Sequence, residues 1–326
     1  GRCDGIMLVN TNNVSIYKAN INTASSLDSN AILITSAGVG SERKGHKIYN
    51  SELKSYGSQS SGIEITGFNA GIGDTLVEDT YGYSDQYYGI IVNGGNFGNG
   101  NINISRSTIT TRLSFRYALF LQDSEKSFIR DSSLSNVNDY DIKVLGGTHE
   151  FINSSYIDES VSNGKIIRKW YYRAYANDTT GVNVFNANIT AYNVSNNYQS
   201  NLTTDSTGYT QMTEIIYYIN NGGNKSYYSP FTIYATNSTY GTINHQINVT
   251  NLTNIYKDVF TFGTTGGLIT CSDLDQVNTI YTLQNNISTT GTCFNITADN
   301  ITLDGNGYSI TGDGNSGDWG VYSESR

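Results

Sequence analysis

Short apolar segments recur through the first half of the chain at nearly regular intervals. Successive segments begin 26, 31, 27, 29 and 23 residues apart, and each is followed by a second short segment and a polar turn. Such a unit is typical of one coil of a parallel β-helix, which points apolar side chains inward and stacks its backbone hydrogen bonds on the next coil. An up-and-down barrel would need hairpin turns about every eight to twelve residues. The segments begin at Gly5, Ala31, Gly62, Gly89, Ala118 and Asp141.

Longer and more regularly alternating strands follow. In one of them Ala187, Ile189 and Ala191 share one face, and the residues between them point to the other. The NNGG run at 220–223 is a tight-turn signal. About seven such strands in roughly 95 residues predict a small antiparallel β-sandwich, after which brief apolar segments return and predict the opening coils of a further β-helix. The predicted domains are 1–164, 165–262 and 263–326.

The composition supports an all-β fold. The chain has 40 Asn, 36 Ser and 36 Thr but one Pro, and only 14% of its residues are charged. Disorder is not expected, because 26 Tyr, 11 Phe and many Ile and Val accompany these polar residues. The net charge of −9, without a stripe of Lys and Arg, argues against a nucleic-acid partner. No run approaches the roughly 18 apolar residues of a membrane span, so none is expected in this segment.

Fourteen N-x-S/T sequons mark the chain, where about nine would arise by chance from its Asn, Ser and Thr content. In ten of them the middle residue is Val, Ile or Leu. On a strand this residue points inward while Asn and Ser/Thr face solvent, although any half-buried strand in an Asn- and Thr-rich protein has the same pattern. We predict an extracellular protein carrying N-linked glycans. The sequons are at Asn13, Asn103, Asn153, Asn177, Asn188, Asn193, Asn201, Asn224, Asn237, Asn248, Asn251, Asn286, Asn295 and Asn300.

The three cysteines suggest one disulfide. Cys271 and Cys293 flank a short polar stretch, and a bond between them would close a loop of roughly 20 residues, which stabilises by about 3 kcal/mol. Two buried free thiols are the alternative. Cys3 is left over, which suggests an intermolecular partner or a free thiol.

No catalytic motif stands out, and we predict neither an enzyme nor a bound cofactor. The acidic residues in 74–85 and the arginines in 106–116 form no motif and are more simply explained as solvated turn residues. The run 304–318 is a Ca²⁺ candidate, but it lacks the spacing of an EF-hand loop, and β-helix turns use the same residue types for their geometry. Its candidate ligands are Asp304, Asn306, Asp313 and Asp318.

Two segments resemble known families. The paired Cys271 and Cys293, followed by NITLDGNGYSITG and GVY, are similar to the start of right-handed parallel β-helix surface proteins encoded by many archaea. The stretch from Trp170 to Tyr218, with GVNVFNANITAYN and TDSTGYTQMTEI, resembles carboxypeptidase-regulatory-like sandwich modules, which often accompany such β-helices. The resemblance implies a right-handed parallel β-helix joined to an antiparallel, Ig-like β-sandwich in an archaeal cell-surface protein.

The two ends of the chain lead to a functional expectation. When the end of the sequence is joined to its beginning, GVYSESR-GRCDGIMLVN has the pattern of one continuous β-helix. We therefore expect the last coils of one unit to stack on the first coils of the next. This would occur in a tandem-repeat polyprotein or by head-to-tail self-assembly; an arbitrarily cut chain is the alternative. We therefore expect a structural protein of a filament, sheath or surface layer. A monomeric carbohydrate-binding or adhesin module, and a β-helix polysaccharide lyase or hydrolase, are the other hypotheses.

Overall fold

The computed structural model describes residues 4–24, 28–36, 45–67, 74–94, 101–250, 254–263, 265–314 and 316–324. These residues form short strands joined by turns and contain no helix, which confirms the all-β class. Accordingly, no described segment is a helix long and apolar enough to cross a membrane. The described residues form two compact units, one within 1–171, 214–228 and 250–254 and the other within 172–213, 229–249 and 255–326.

Most strands of the first half are four or five residues long. In chain order they are β1 (Ile6–Val9), β2 (Ser15–Tyr17), β3 (Asn20–Thr23), β4 (Ile32–Ser36), β5 (His46–Tyr49), β6 (Glu52–Ser55), β7 (Ile63–Gly67), β8 (Thr75–Glu78), β9 (Tyr81–Ser84), β10 (Ile90–Asn93), β11 (Ile102–Ser105), β12 (Thr108–Thr111), β13 (Leu119–Gln122), β14 (Lys126–Arg130), β15 (Ser133–Asn136), β16 (Ile142–Leu145), β17 (Thr148–Ile152) and β18 (Glu159–Ser162).

The strands of the second half are more varied in length. They are β19 (Lys165–Asp178), β20 (Asn188–Tyr192), β21 (Tyr198–Thr203), β22 (Thr213–Asn221), β23 (Asn224–Tyr227), β24 (Phe231–Asn237), β25 (Gly241–Ile247), β26 (Ile255–Phe262), β27 (Thr265–Leu268), β28 (Ser272–Leu274), β29 (Ile280–Leu283), β30 (Ile287–Ser288), β31 (Phe294–Ile296), β32 (Thr302–Asp304), β33 (Ile310–Thr311) and β34 (Val321–Ser323).

In the first unit the chain passes through three parallel sheets in turn. The parallel strands follow the orders β1-β4-β7-β10-β13-β16-β18, then β2-β5-β8-β11-β14-β17-β19, and β3-β6-β9-β12-β15, and the second of these sheets continues past β19 into β22 and β23. This arrangement, which we call the first stack, is consistent with a parallel β-helix. Its register reproduces the predicted repeat, because Ile6 pairs with Ile32 and Ile32 with Ile63, followed by Ile90, Leu119 and Ile142.

In-register pairing places similar side chains above one another in interior columns. In the second sheet one column begins with Ile16, Ile48 and Val77 and continues through Ile104 and Ile129. The middle three of these are at most 1% exposed. Burial of each aliphatic side chain stabilises by about 1.5–3 kcal/mol, and the column repeats this contribution in every coil.

The corner between the second and third sheets is built from a column of left-handed residues. Most of these residues are followed by a hydroxyl-bearing residue that accepts a hydrogen bond from the backbone of the neighbouring coil: Thr80 N donates to Ser107 Oγ at 3.1 Å, and Ser107 N donates to Ser132 Oγ at 3.2 Å. These hydroxyls satisfy amide groups that would otherwise be buried without a partner. Four of the six left-handed residues are Asn or Asp, which tolerate this conformation best. They are Lys18, Asn50, Asp79, Arg106, Asp131 and Asn153, with φ between 44° and 52°.

The second unit contains an antiparallel sheet, in the order β21-β20-β24-β25. Ala187, Ile189 and Ala191 are buried on one face of the sheet, as their spacing predicts. Phe231 and Ile233 of β24 are also fully buried. β26 pairs in parallel with the 172–178 part of β19. Parallel pairing then returns in a second stack, with the sheets β27-β29-β32, β28-β31-β34 and β30-β33.

A histidine lies among the aliphatic residues inside the first stack. His149 is fully buried, and its Nε2 contacts the carbonyl oxygen of Gly146 at 3.0 Å. Burial lowers the pKa of His149 from 6.5 to about 4. Between these values the unfolded chain binds a proton that the folded chain does not, so stability is lost as the pH falls.

We predict that the free energy of unfolding of the wild-type protein falls by about 3 kcal/mol more between pH 7 and pH 4 than that of a His149→Gln variant. Urea unfolding at a series of pH values measures this slope. Between pH 7 and pH 9 the difference between the two proteins should be constant, because the histidine is neutral in both states. Equal slopes below pH 7 would contradict the account.

Candidate functional site

The interior columns of the first stack end in polar residues at the last coil. Glu159 pairs with Ile142 and occupies the position held by an aliphatic side chain in each earlier coil. In the second sheet, Arg168 pairs with Phe151 of the preceding coil and likewise takes the place of an apolar side chain. Near the third sheet, Ser155 bridges to Ser133, and the next residue along the chain is the buried Tyr156. A carboxylate, a guanidinium and a phenol thus replace apolar groups inside the stack.

The hairpin of β22 and β23 brings further polar side chains to this end of the stack. Its two-residue turn is Gly222-Gly223, with φ values of 58° and 94° that favour glycine. The register pairs Asn220 with Lys225. Gly222 N donates to the carbonyl oxygen of Gly164 at 2.9 Å, which anchors the turn beside the last coil.

Glu159 is the centre of this group, and its side chain is inaccessible to solvent. Oε2 accepts hydrogen bonds from the hydroxyls of Tyr156 and Tyr218, both at 2.7 Å. Oε1 accepts one from Nδ2 of Asn220 at 2.8 Å and lies 3.3 Å from Nζ of Lys225. Both carboxylate oxygens therefore have two donors, as a buried carboxylate requires. We call Tyr156, Glu159, Arg168, Tyr218, Asn220 and Lys225 the Glu159 cluster.

Aromatic rings pack against both cations of the cluster, of which Arg168 is buried and Lys225 is partly exposed, with 36% of its side chain accessible. The Arg168 guanidinium lies 4.0 Å from the ring centre of Tyr156, and Nζ of Lys225 lies 4.8 Å from that of Tyr218. Burial and the neighbouring Glu159 carboxylate raise the pKa of Tyr156 and of Tyr218 well above the usual range. Both hydroxyls therefore remain donors to the carboxylate at any physiological pH.

Asn220 is incompletely satisfied within the cluster. Its residue is 2% exposed, and Oδ1 accepts no hydrogen bond from the described residues. Nδ2 of Asn220 donates to the Glu159 carboxylate, whereas Oδ1 is buried away from water. A buried amide of this kind is usually paired at both ends.

The sequence did not reveal this cluster. Glu159 looks like one of several scattered acids, and the NNGG signal predicts a turn without saying what the turn covers. Extending the repeat by one further coil, so that Glu159 aligns with Ile142, would have placed a carboxylate at an interior position. That alignment is the signal that could have found it.

Some of the acidic residues in 74–85 form ion pairs with arginines in 106–116. Arg106 bonds with Asp79 at 2.8 Å and with Glu78, while Arg112 is 3.9 Å from Asp85. These pairs lie at the surface, where such contacts contribute little. Each pair joins two neighbouring coils of the stack.

A second buried carboxylate lies in the second unit. Asp258 accepts a hydrogen bond from the hydroxyl of Tyr172 at 2.7 Å and contacts Nε2 of His245 at 2.7 Å. The His245 ring stacks on Phe260, with the ring centres 4.4 Å apart. This group connects β19, β25 and β26, which fits a structural role in joining the sheets.

The Ca²⁺ candidates do not form a ligand set. Asp304 Oδ1 accepts a hydrogen bond from the backbone of Asn306 at 2.9 Å, which is a turn geometry. Among the described residues, no group of three or more His, Cys, Asp or Glu is placed to hold a metal ion. Asp313 and Asp318 are exposed.

The cysteine pair has the predicted geometry. Cys271 and Cys293 are joined by a disulfide with a Cα–Cα distance of 4.4 Å. Cys293 packs in the core of the second stack beside Leu274 and Phe294. The bond therefore connects the edge of β28 to β31 in the next coil. Cys3 lies outside the described residues.

The sequons differ in accessibility. Some apolar middle residues are buried as predicted, for example Ile189 and Val249 at 1% and 2% exposure, but Val194 of the Asn193 sequon is 53% exposed. Asn251 lies outside the described residues. The exposed acceptors are Asn13, Asn201, Asn224, Asn248, Asn286 and Asn300. Those of intermediate exposure are Asn103, Asn153, Asn177, Asn188 and Asn295, and the buried ones are Asn193 and Asn237.

The two buried acceptors are also committed to hydrogen bonds. Asn237 Nδ2 donates to the carbonyl oxygen of Phe185 at 3.0 Å, and Oδ1 accepts from Thr239 N at 2.9 Å. Asn193 Oδ1 accepts from the backbone of Ser195 and of Asn197. At Asn237 the nitrogen that a glycan would modify is therefore already used as a donor to Phe185.

Comparison with known proteins gives no family. No family model matches the chain, and no curated protein matches it. Among solved structures, the Bacillus anthracis TIE protein matches at 16% sequence identity and a TM-score of 0.25, over 37% of this chain and 22% of that chain. The match thus spans less than a quarter of that protein, and it carries no argument about fold or function.

If the protein is N-glycosylated, we predict occupancy at the exposed sequons Asn201, Asn224 and Asn248 and none at Asn193 or Asn237. The reason is that a buried amide nitrogen is out of reach of a transferase acting on the folded chain. Glycopeptide mass spectrometry of native material gives the occupancy of each site. Full occupancy at Asn237 together with empty exposed sites would contradict this prediction.

Proposed function

We propose that this chain is a subunit of an extracellular structural assembly, a filament, sheath or surface layer, in which copies join head to tail by stacking of their coils. In this proposal the stacks are right-handed parallel β-helices, at 1–164 and 263–326, and the intervening 165–262 is an Ig-like β-sandwich resembling carboxypeptidase-regulatory modules. The protein acts through assembly and has no catalytic role. Its partner is a second copy of itself, and its location is the cell surface, as in archaeal proteins of this kind.

The observation that carries the proposal is the exposure of interior positions at the outer coils. β1, β2 and β3 are the first strands of their sheets, and β32, β33 and β34 are the last of theirs. Ile6 and Leu8 point into the first stack, yet they are only partly buried, whereas their partners Ile32 and Ile34 are at most 1% exposed. A further coil on this edge would complete both the columns and the backbone ladder.

The other stack presents apolar residues at its last coil. Val321 of β34 is 43% exposed, and the neighbouring Trp319 is 54% exposed. Exposed apolar side chains on a sheet edge are an association surface unless they are blocked by charge or proline. Within the described residues after Asp318, Glu324 is the one charged side chain, so charge does little to block this edge.

The disulfide and the sequons support an extracellular location. A disulfide such as Cys271–Cys293 persists in an oxidising compartment. Eleven of the 14 sequons lie between Asn177 and Asn300, which would leave the first stack comparatively free of sugar. Packing through that stack would then meet few glycans, those at Asn13, Asn103 and Asn153.

We predict that Leu8→Asp abolishes assembly, whereas Met7→Asp does not. Leu8 points into the open column, so a carboxylate there would have to be desolvated on stacking, which costs several kcal/mol and reduces filament mass about tenfold or more. Met7 lies on the same strand but is 53% exposed on the outer face. Electron microscopy of the purified protein without reductant, before and after substitution, gives the readout.

Thermal unfolding of both variants serves as the control for folding. A folded Leu8→Asp protein that stays dispersed, beside a Met7→Asp protein that forms filaments, would support the proposal. Dispersed wild-type particles would contradict head-to-tail assembly and favour a monomeric carbohydrate-binding module. Assembly of Leu8→Asp at the wild-type level would contradict the proposed contact. Filaments that dissociate only on proteolysis would indicate a tandem polyprotein.

A further inference from the structure

We propose that Lys225 and Asn220 form an intramolecular isopeptide bond, with Glu159 as the acid–base catalyst. The three side chains meet in the Glu159 cluster, where Nζ of Lys225 and Nδ2 of Asn220 both contact Oε1 of Glu159, at 3.3 and 2.8 Å. An amine, a carboxamide and a carboxyl group are the reactants and the catalyst that amide exchange requires.

The hairpin register brings the two reacting side chains onto the same face. Asn220 lies directly opposite Lys225, one position along both strands from the turn-flanking pair Asn221–Asn224. Tyr228 N donates to Tyr217 O, so hydrogen-bonded and non-hydrogen-bonded pairs alternate from there. The Asn220–Lys225 pair is non-hydrogen-bonded, and in such pairs the Cα atoms are about 4.5 Å apart and the side chains are at their closest.

The reaction balances without any further reagent. Oε1 of Glu159 accepts a proton from the Lys225 ammonium, and the freed lone pair attacks Cγ of Asn220. The Nζ–Cγ bond forms, the Cγ–Nδ2 bond breaks, and Glu159 returns the proton to Nδ2. The nitrogen leaves as ammonia, which takes up the second Nζ proton and departs as ammonium. Glu159 ends in its starting state.

The surroundings favour this chemistry. Glu159 is inaccessible to solvent, so a proton transferred to it is not lost to water. The hydroxyls of Tyr156 and Tyr218 hold Oε2 and leave Oε1 facing the reacting groups.

The bond would lock the turn that covers the last coil of the first stack. β-hairpins alone are marginally stable, and this one closes the polar end of an otherwise aliphatic interior. A covalent clamp there would prevent fraying of the end at which Glu159 and Arg168 are buried. The proposal does not depend on head-to-tail assembly.

Mass spectrometry of the intact, reduced and unglycosylated chain tests the proposal. The expected mass is about 17 Da below that of the sequence, for the loss of one ammonia. Trypsin is expected to leave the chain uncut after Lys225. Lys225→Arg and the isosteric Glu159→Gln should both restore the full mass, while Arg remains at 225 as a cleavable site in the first.

One side reaction gives the same mass change and needs its own control. Asn221-Gly222 can lose ammonia by forming a succinimide, but that loss would persist in Lys225→Arg. The matched variant Asn221→Ala removes the succinimide route and should keep both the mass loss and the trypsin resistance. A wild-type chain of full mass that is cut after Lys225 would overturn the proposal. So would a mass loss that survives Lys225→Arg.

Discussion

The in-register stacking of parallel coils is the constraint on which the rest of this structure depends. Each strand of the first stack pairs with the strand one coil away, so a residue's environment is set by its position in the repeat and by the residues above and below it. The interior columns of the first stack are therefore apolar in every coil that has a further coil stacked on it. Where Ile142 is followed by Glu159 and Phe151 by Arg168, the column ends in charge. The Glu159 cluster is the consequence of ending a solenoid inside a folded chain.

The same constraint explains the polar interior and the corners. Hydroxyl groups such as Ser107 and Ser132 recur at one corner because each coil leaves an amide there that needs an acceptor. Left-handed residues recur beside them because the turn has the same geometry in every coil. This repetition contributes to the abundance of Asn, Ser and Thr. It also makes the composition a poor guide to glycosylation, since the same residues that form sequons form turns.

The sequence predicted the features that repeat and missed the features that occur once. The spacing of the apolar segments gave the register of the first stack, because the period is carried by many residues at once. The alternation around Ile189 gave the buried face of β20 for the same reason. In contrast, the place of the β22–β23 hairpin could not be predicted. Residues 214–228 belong to the compact unit of the first stack, although they lie far from it in sequence. Their position depends on long-range contacts for which no local pattern exists: β22 lies beside β19, Glu214 pairs with Arg130 and Lys169, and the Glu159 cluster forms.

The central claim of the account is that copies continue one another's coils. Fibre diffraction of aligned native material tests it most directly, because strands of a stacked β-helix run across the axis along which coils repeat. If copies stack end to end, a meridional reflection at about 4.8 Å, the spacing of paired strands, is expected along the long axis of the assembly. An assembly whose strand spacing lies across that axis, or a preparation of discrete particles with no axial order, would contradict it.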